Sequence, residues 1–301
     1  MFDGFAQKQF TVSEGVTINY RTGGSGPALL LLHGHPQTHV MWHRVAPALA
    51  ENFTLVMPDL RGYGDSSKPE AGENCIAYSK RVMAEDMILL MRSLGHDAFF
   101  LGAHDRGARV AHRAALDYPQ HIKKLFLMDI APTLDMYEGT SREFATAYWH
   151  WFLFIQPAPF PERMIEPDPV AFIRRYMGAR YAGLEMFCPE ALSEYERCYA
   201  LPGTVAAVCN DYRASAGIDL DLDREDRKNG NHLAMPLHVL WARHGVMERC
   251  FDVLGLWKAV SKNSVTGQNV ECGHYLAEEA PDLIAREMTA FFAASMISDS
   301  R

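Results

Sequence analysis

Short apolar runs and stretches of helical periodicity take turns between residues 28 and 129. ALLLLH at Ala28–His33 is closed by Gly34 and Pro36, and FTLVMP at Phe53–Pro58 leads into the loop Asp59–Pro69. AFFLGA at Ala98–Ala103 and IKKLFLMD at Ile122–Asp129 have the same form. Apolar runs this short, bounded by turn residues, predict buried strands. Between them, residues 79–94 set Val82, Met83, Met87, Leu90, Met91 and Leu94 at helical spacing, with Asp86 as a polar interruption and Gly95 as the stop. Arg106–Asp117 predicts a second helix, ended by Pro119. Strand–helix alternation of this kind predicts an α/β domain with a mostly parallel sheet and helices on both faces.

The alternation stops near residue 134. Residues 135–222 hold aromatic helical segments and prolines, end in the acidic run IDLDLDRED, and contain no clean strand. It resumes with LHVLW at Leu237–Trp241, a helix over Asp252–Val260, a segment Ser264–Val270 and a helix over Pro281–Ala293. The pattern predicts one core domain, residues 1–134 and 223–301, interrupted by a helical cap of residues 135–222. No internal repeat or low-complexity tract is present.

Composition narrows the class. With 301 residues, 48% of them apolar, a large core can form. A formal charge of −8 with acids and bases interspersed argues against a nucleic-acid partner. The N-terminal MFDGFAQKQF has neither a basic nor an apolar signal region, and no apolar stretch approaches a membrane span. Cys75, Cys188, Cys198, Cys209, Cys250 and Cys272 are scattered, with no CxxC pair. They read as reduced thiols of a cytoplasmic protein, with no metal site among them.

The candidate chemistry starts with GAHDRGAR, residues 102–109. Ala103-His104-Asp105-Arg106-Gly107 is a small-x-nucleophile-x-small turn with Asp where many hydrolases carry Ser. Small flanks let the turn pack tightly, and the following helix presents free N–H groups that keep a carboxylate ionised. Taken alone, Asp105 reads equally well as a helix N-cap. His274, in Glu271-Cys272-Gly273-His274-Tyr275, follows a strand end near the C terminus, and Asp129 ends the strand LFLMD. His33-Gly34-His35-Pro36 lies where backbone N–H groups of His35 and Arg106 can hold an oxyanion. Asp59, in DLRGYGDS, reads as a turn-tying residue.

Together HGHPQT, DLRGYGDS, HDRGAR, MDIAP and ECGHYLAEEAP resemble the α/β-hydrolase superfamily, and they lie on both sides of the insertion. An Asp in the elbow narrows the resemblance to haloalkane and haloacetate dehalogenases and soluble epoxide hydrolases. HDRGAR resembles the haloacetate dehalogenases, the fluoroacetate-active kind in particular. The resemblance implies Asp105, His274 and Asp129 as nucleophile, base and acid, with Glu248 as a rival acid. It implies attack at saturated carbon, an aspartyl ester, and hydrolysis of that ester by His274-activated water. Arg106 and Arg109, three residues apart, share one face of the first helical turn and suit a substrate carboxylate. Arg113, one turn on, reads as structural. His150-Trp151 and Tyr212 match the family's halide-binding residues, whereas Trp149 and Phe152 read as core. No cofactor is implied, the expected ligand is a small haloacid, and a homodimer is expected. An epoxide hydrolase, with Tyr148 or Tyr181 partnering Tyr212, is the nearest alternative. A silent ligand-binding protein on the same scaffold is a more distant one.

Overall fold

Two strands precede the six that the apolar runs predict: β1 (Ala6–Ser13) and β2 (Val16–Gly23) form an antiparallel hairpin. They are invisible in the hydrophobic pattern because β1 lies at a sheet edge with most of its residues exposed. The others are β3 (Ala28–Leu32), β4 (Thr54–Pro58), β5 (Phe99–His104), β6 (Ile122–Met128), β7 (Leu237–Ala242) and β8 (Val265–Val270). In the computed structural model, which describes residues 1–293, they form one sheet in the order β1-β2-β4-β3-β5-β6-β7-β8. From β4 to β8 every pairing is parallel. Every residue of β3 and β5 is buried, as central strands covered on both faces require.

The helix predicted over residues 79–94 runs Lys80–Ser93, with the Ser79 hydroxyl accepting from the Val82 N–H at 3.3 Å. Its polar interruption, Asp86, is buried because it accepts two bonds from Arg61, at 2.8 and 2.6 Å.

Eight helices run from Thr133 to Asn229. The boundaries drawn at 134/135 and 222/223 fall inside the helices Thr133–Glu138 and Ile218–Asn229. The acidic run is tied to the core by cations. Asp219 is buried and accepts from the Lys80 N–H at 2.9 Å, while Asp223 and Asp226 accept from Arg113 at 2.9 and 2.6 Å. Arg113 is thereby structural. Cap and sheet share one apolar core in which Trp151, Phe154 and Tyr212 join Leu31 and Met128. Among the described residues no helix is long and apolar enough to cross a membrane.

Candidate active site

The turn from β5 into the helix Asp105–Asp117 places Asp105 at φ 44°, a left-handed conformation that side chains other than glycine seldom adopt. Two glycines make room for it. A Cβ on Gly34 would lie 2.5 Å from the Asp105 Cβ, and one on Gly107 would lie 2.3 Å from the His33 carbonyl oxygen. The helix N-cap is His104, not Asp105. Asp105 Oδ1 instead accepts from the His35 N–H at 2.9 Å, across 70 residues of chain. His33 braces that loop, its Nε2 accepting from the Leu60 N–H at 2.9 Å. Asp59 ties the neighbouring turn, accepting from the His39 and Asp65 N–H groups at 2.9 and 3.0 Å.

His274 stands in the loop after β8. Its Nδ1–H donates to Asp129 Oδ2 at 2.5 Å, which leaves Nε2 facing Asp105 Oδ2 at 4.0 Å. That separation is too long for a hydrogen bond and wide enough for a water's proton to be reached from Nε2. Asp129 sits just past β6, its Oδ1 held by the Ala242 N–H at 2.9 Å. Glu248 is turned elsewhere, accepting from the Trp241 indole and from Asn269. Burial alone would raise the Asp105 carboxyl. The His274 and His104 imidazoles, with Arg109 and Arg106, outweigh it and hold the group well below the usual carboxylate range. His104 stacks 4.7 Å from the His274 ring and is lowered to about 4, by burial first and then by His274.

The two arginines are not equivalent. Arg106 is wholly buried and donates to Asp211 through Nε at 3.0 Å and Nη2 at 2.7 Å, while Nη2 also reaches Ser215 Oγ at 2.5 Å. Asp211 also accepts from Lys80 and from the Tyr63 hydroxyl. Among the described residues, Nη1 alone of the Arg106 nitrogens that carry hydrogen has no partner. Arg106 thus differs from Arg109 in that its charge is already matched by a cap carboxylate. Arg109 has neutral company. It donates to Thr133 Oγ1 at 2.9 Å, touches Met136 Sδ at 3.3 Å, and lies 4.6 Å above the Trp151 ring. Its Nε is unpartnered, and among the described residues no carboxylate pairs with it. Burial, and then Arg106, lower its pKa.

His150, Trp151 and Tyr212 gather into one cluster beside the two guanidiniums. The Tyr212 ring lies 5.9 Å from His150 and 6.3 Å from Trp151, and 4.0 Å from the Arg106 guanidinium carbon. His150 Nδ1, Trp151 Nε1 and the Tyr212 hydroxyl are all buried without a partner among the described residues. Tyr137, absent from the sequence reading, belongs with them. Its ring lies 4.9 Å from Trp151 and its hydroxyl is likewise unpartnered. Burial pushes that phenol up to about 12, although Arg106 and Arg109 draw it down. No sequence signal marks it, because it comes from the helix Thr133–Glu138 and meets Trp151 only in the fold. Trp149 corrects another expectation. It is 45% exposed, not core, whereas Phe152 packs partly buried against the core.

A cavity of about 270 Å³ reaches the triad from the His274 side, its wall including Asp129, Tyr148, Tyr176, Arg180 and His274. Tyr181 belongs to this cavity rather than to the cluster around Tyr212. It is exposed and stacks on His244 at 4.2 Å. Among the described residues no group of three or more His, Cys, Asp or Glu is placed to hold a metal ion.

A parallel sheet with this strand order, an elbow after β5, an acid after β6 and a histidine after β8 define a hydrolase class. The chain belongs to the alpha/beta hydrolase fold family, whose model matches residues 27–281. Within it, the chain is 42% identical to a fluoroacetate dehalogenase of Burkholderia sp, over 100% of this chain and 96% of that one. It is 34% identical to a soluble epoxide hydrolase of Corynebacterium sp. (strain C12), over 93% of this chain and 94% of that one. The solved structure of an alpha/beta hydrolase from Nostoc sp PCC 7120 superposes with a TM-score of 0.94 at 48% identity, covering 97% of this chain and 99% of that one.

Proposed function

We propose that this hydrolase dehalogenates haloacetates, fluoroacetate among them. The observation that carries the reading is the division of labour near Asp105: a buried guanidinium with no carboxylate in contact, and a cluster in which the Trp151 N–H, the Tyr212 O–H and the His150 Nδ1 atom are buried without a partner among the described residues. A small molecule with a carboxylate at one end and a departing halide at the other satisfies both. Unmade bonds of this kind are costly in a core and are found where a ligand completes them.

In the first step Asp105 Oδ2 attacks the α-carbon, and the carbon–halogen bond breaks with its electron pair leaving on the halide. Arg109, with Arg106 Nη1 and the Tyr137 hydroxyl, grips the substrate carboxylate and offsets the repulsion between two anions. Trp151, Tyr212 and His150 donate to the halide, whose charge grows only as the bond breaks, so they favour the transition state over the bound substrate. In the second step His274 Nε2 takes a proton from water and the hydroxide adds to the Asp105 carboxyl carbon. The oxyanion forms on Oδ1, where the His35 N–H already points. Collapse expels glycolate carrying the former Oδ2, the imidazolium protonates its alkoxide oxygen, and the second water proton leaves Asp105 for solvent, restoring the carboxylate. Asp129 orients His274 throughout.

Epoxide opening is the second reading, favoured by the Corynebacterium relative and by the free hydroxyl of Tyr212. Release of fluoride and chloride from a panel of haloacids, haloalkanes and epoxides separates the two. Haloacid turnover with neutral compounds inert supports the proposal; preference for epoxides or haloalkanes overturns it.

A further inference from the structure

An imidazole carries one proton when neutral, and only the nitrogen that bears it can donate. His150 Nε2 lies 3.2 Å from the Tyr176 hydroxyl oxygen, while Nδ1 has no partner. The Tyr176 oxygen also lies 2.7 Å from Arg180 Nη2. A guanidinium can only donate, so Tyr176 accepts from Arg180. The phenol then has one proton to place, and His150 Nε2 is the acceptor in reach. Were Nε2 protonated, the Tyr176 oxygen would accept from both neighbours and its own proton would turn away, with no acceptor among the described residues. Tyr176 is buried, so that arrangement is strongly disfavoured.

We infer that Arg180 and Tyr176 form a relay of fixed polarity that locks His150 as the Nδ1–H tautomer and thereby makes it a halide donor. The function of that donor rests on the dehalogenase reading; the tautomer does not. Arg180 and Tyr176 are positioning residues, acting through His150. Arg180 is held between the faces of Tyr148 and Tyr176, its guanidinium carbon 5.0 and 4.9 Å from their ring centres, and pairs with no carboxylate among the described residues. Its charge strengthens the Tyr176 O–H as a donor. Burial, with Arg180 as the next largest cause, holds the His150 pKa well below its ordinary value. The ring is therefore neutral at pH 7, where the choice of tautomer decides what it can bind.

The test is nitrogen NMR on protein labelled with ¹⁵N-histidine, with His150→Asn identifying the His150 signals by subtraction. The proton is expected on Nδ1 in the full-length protein, and Tyr176→Phe should shift the ring toward a mixture or the Nε2–H form. A proton on Nε2 in the unmutated protein, or a His150 spectrum that Tyr176→Phe leaves unchanged, overturns the relay. Kinetics supply the second readout. Tyr176→Phe should lower kcat for fluoroacetate about tenfold, the loss of one hydrogen bond, with a smaller change for chloroacetate and KM held. Arg180→Lys, which also only donates, should rescue what Arg180→Leu loses. Equal losses on both halides overturn the link to the leaving group. An Nδ1–H ring in a protein that turns over no haloacid leaves the relay standing and removes the dehalogenase reading.

Discussion

Arg106 and Arg109 lie one turn apart on the same helix, yet truncating them should have opposite effects on stability. Arg106→Leu strips Asp211 of its guanidinium and leaves that buried carboxylate with Lys80 and the Tyr63 hydroxyl alone. Breaking a buried ion pair from one side costs about 3–5 kcal/mol. At roughly 2–4 °C per kcal/mol for a large domain, the melting temperature should fall by roughly 6–20 °C. Arg109→Leu removes a bond to Thr133 and a contact with Trp151, together about 2 kcal/mol. It also removes a buried cation with no carboxylate in contact, whose desolvation Asp105 offsets only in part, a penalty of about that size. Its melting temperature should therefore match the unmutated protein or exceed it. Activity should show the reverse emphasis. Two charge-assisted bonds to a substrate carboxylate, each about 1.5–3 kcal/mol, put the loss in kcat/KM for haloacetate at about 10²–10⁴-fold on Arg109→Leu. Thermal melts followed by circular dichroism, and halide release measured well below each melt, give both numbers. If Arg109→Leu melts as low as Arg106→Leu, the Arg109 guanidinium is holding the fold together and the argument for an awaited anion fails.

His274→Asn should accumulate protein heavier by one carboxymethyl group after exposure to haloacetate, with the added mass on the peptide containing Asp105; an unlabelled Asp105 peptide rules out the ester. Trp151→Phe should slow fluoride release more than chloride release, because fluoride draws more on its hydrogen-bond donors, and parallel losses would remove Trp151 from the halide site. Glu278 is buried and accepts from Tyr195 at 2.5 Å, while its other oxygen has no hydrogen bond among the described residues and lies 3.7 Å from His43 Nδ1; burial raises it to about 7. A carboxyl raised on folding stabilises the protein while protonated and loses that contribution as the pH climbs from about 4.5 through 7, by up to about 3 kcal/mol. Glu278→Gln should flatten the fall in melting temperature across that window, and an unchanged slope would show that Glu278 is not its source.

The legible parts of this molecule were those written in consecutive residues. Five apolar residues in β3 and six buried ones in β5 declare a strand covered on both faces. The Ala-His-Asp-Arg-Gly turn declares its own tightness, since Gly107 backs onto His33. β1 escaped because AQKQFTVS is mostly exposed and owes its form to pairing with β2, not to a buried face. The difference between the two arginines escaped for a similar reason. Asp211 lies 105 positions beyond Arg106, and nothing near either residue says that they meet. Tyr137 and Tyr176 were hidden likewise, each an aromatic in a helical cap where aromatics ordinarily fill space. The acidic run says nothing in sequence of its partners, because Lys80 and Arg113 reach it from the core.

Asp105 presents two unequal oxygens before any ligand arrives, one tethered to the loop at His35 and the other turned toward His274. On the proposed cycle only the second departs with product, and the oxygen drawn from solvent takes its place. The tethered atom is permanent. In water enriched in oxygen-18, the first glycolate from each molecule should carry none of the heavy isotope and later ones should carry it. After many rounds the aspartate itself should hold a single heavy atom, never two.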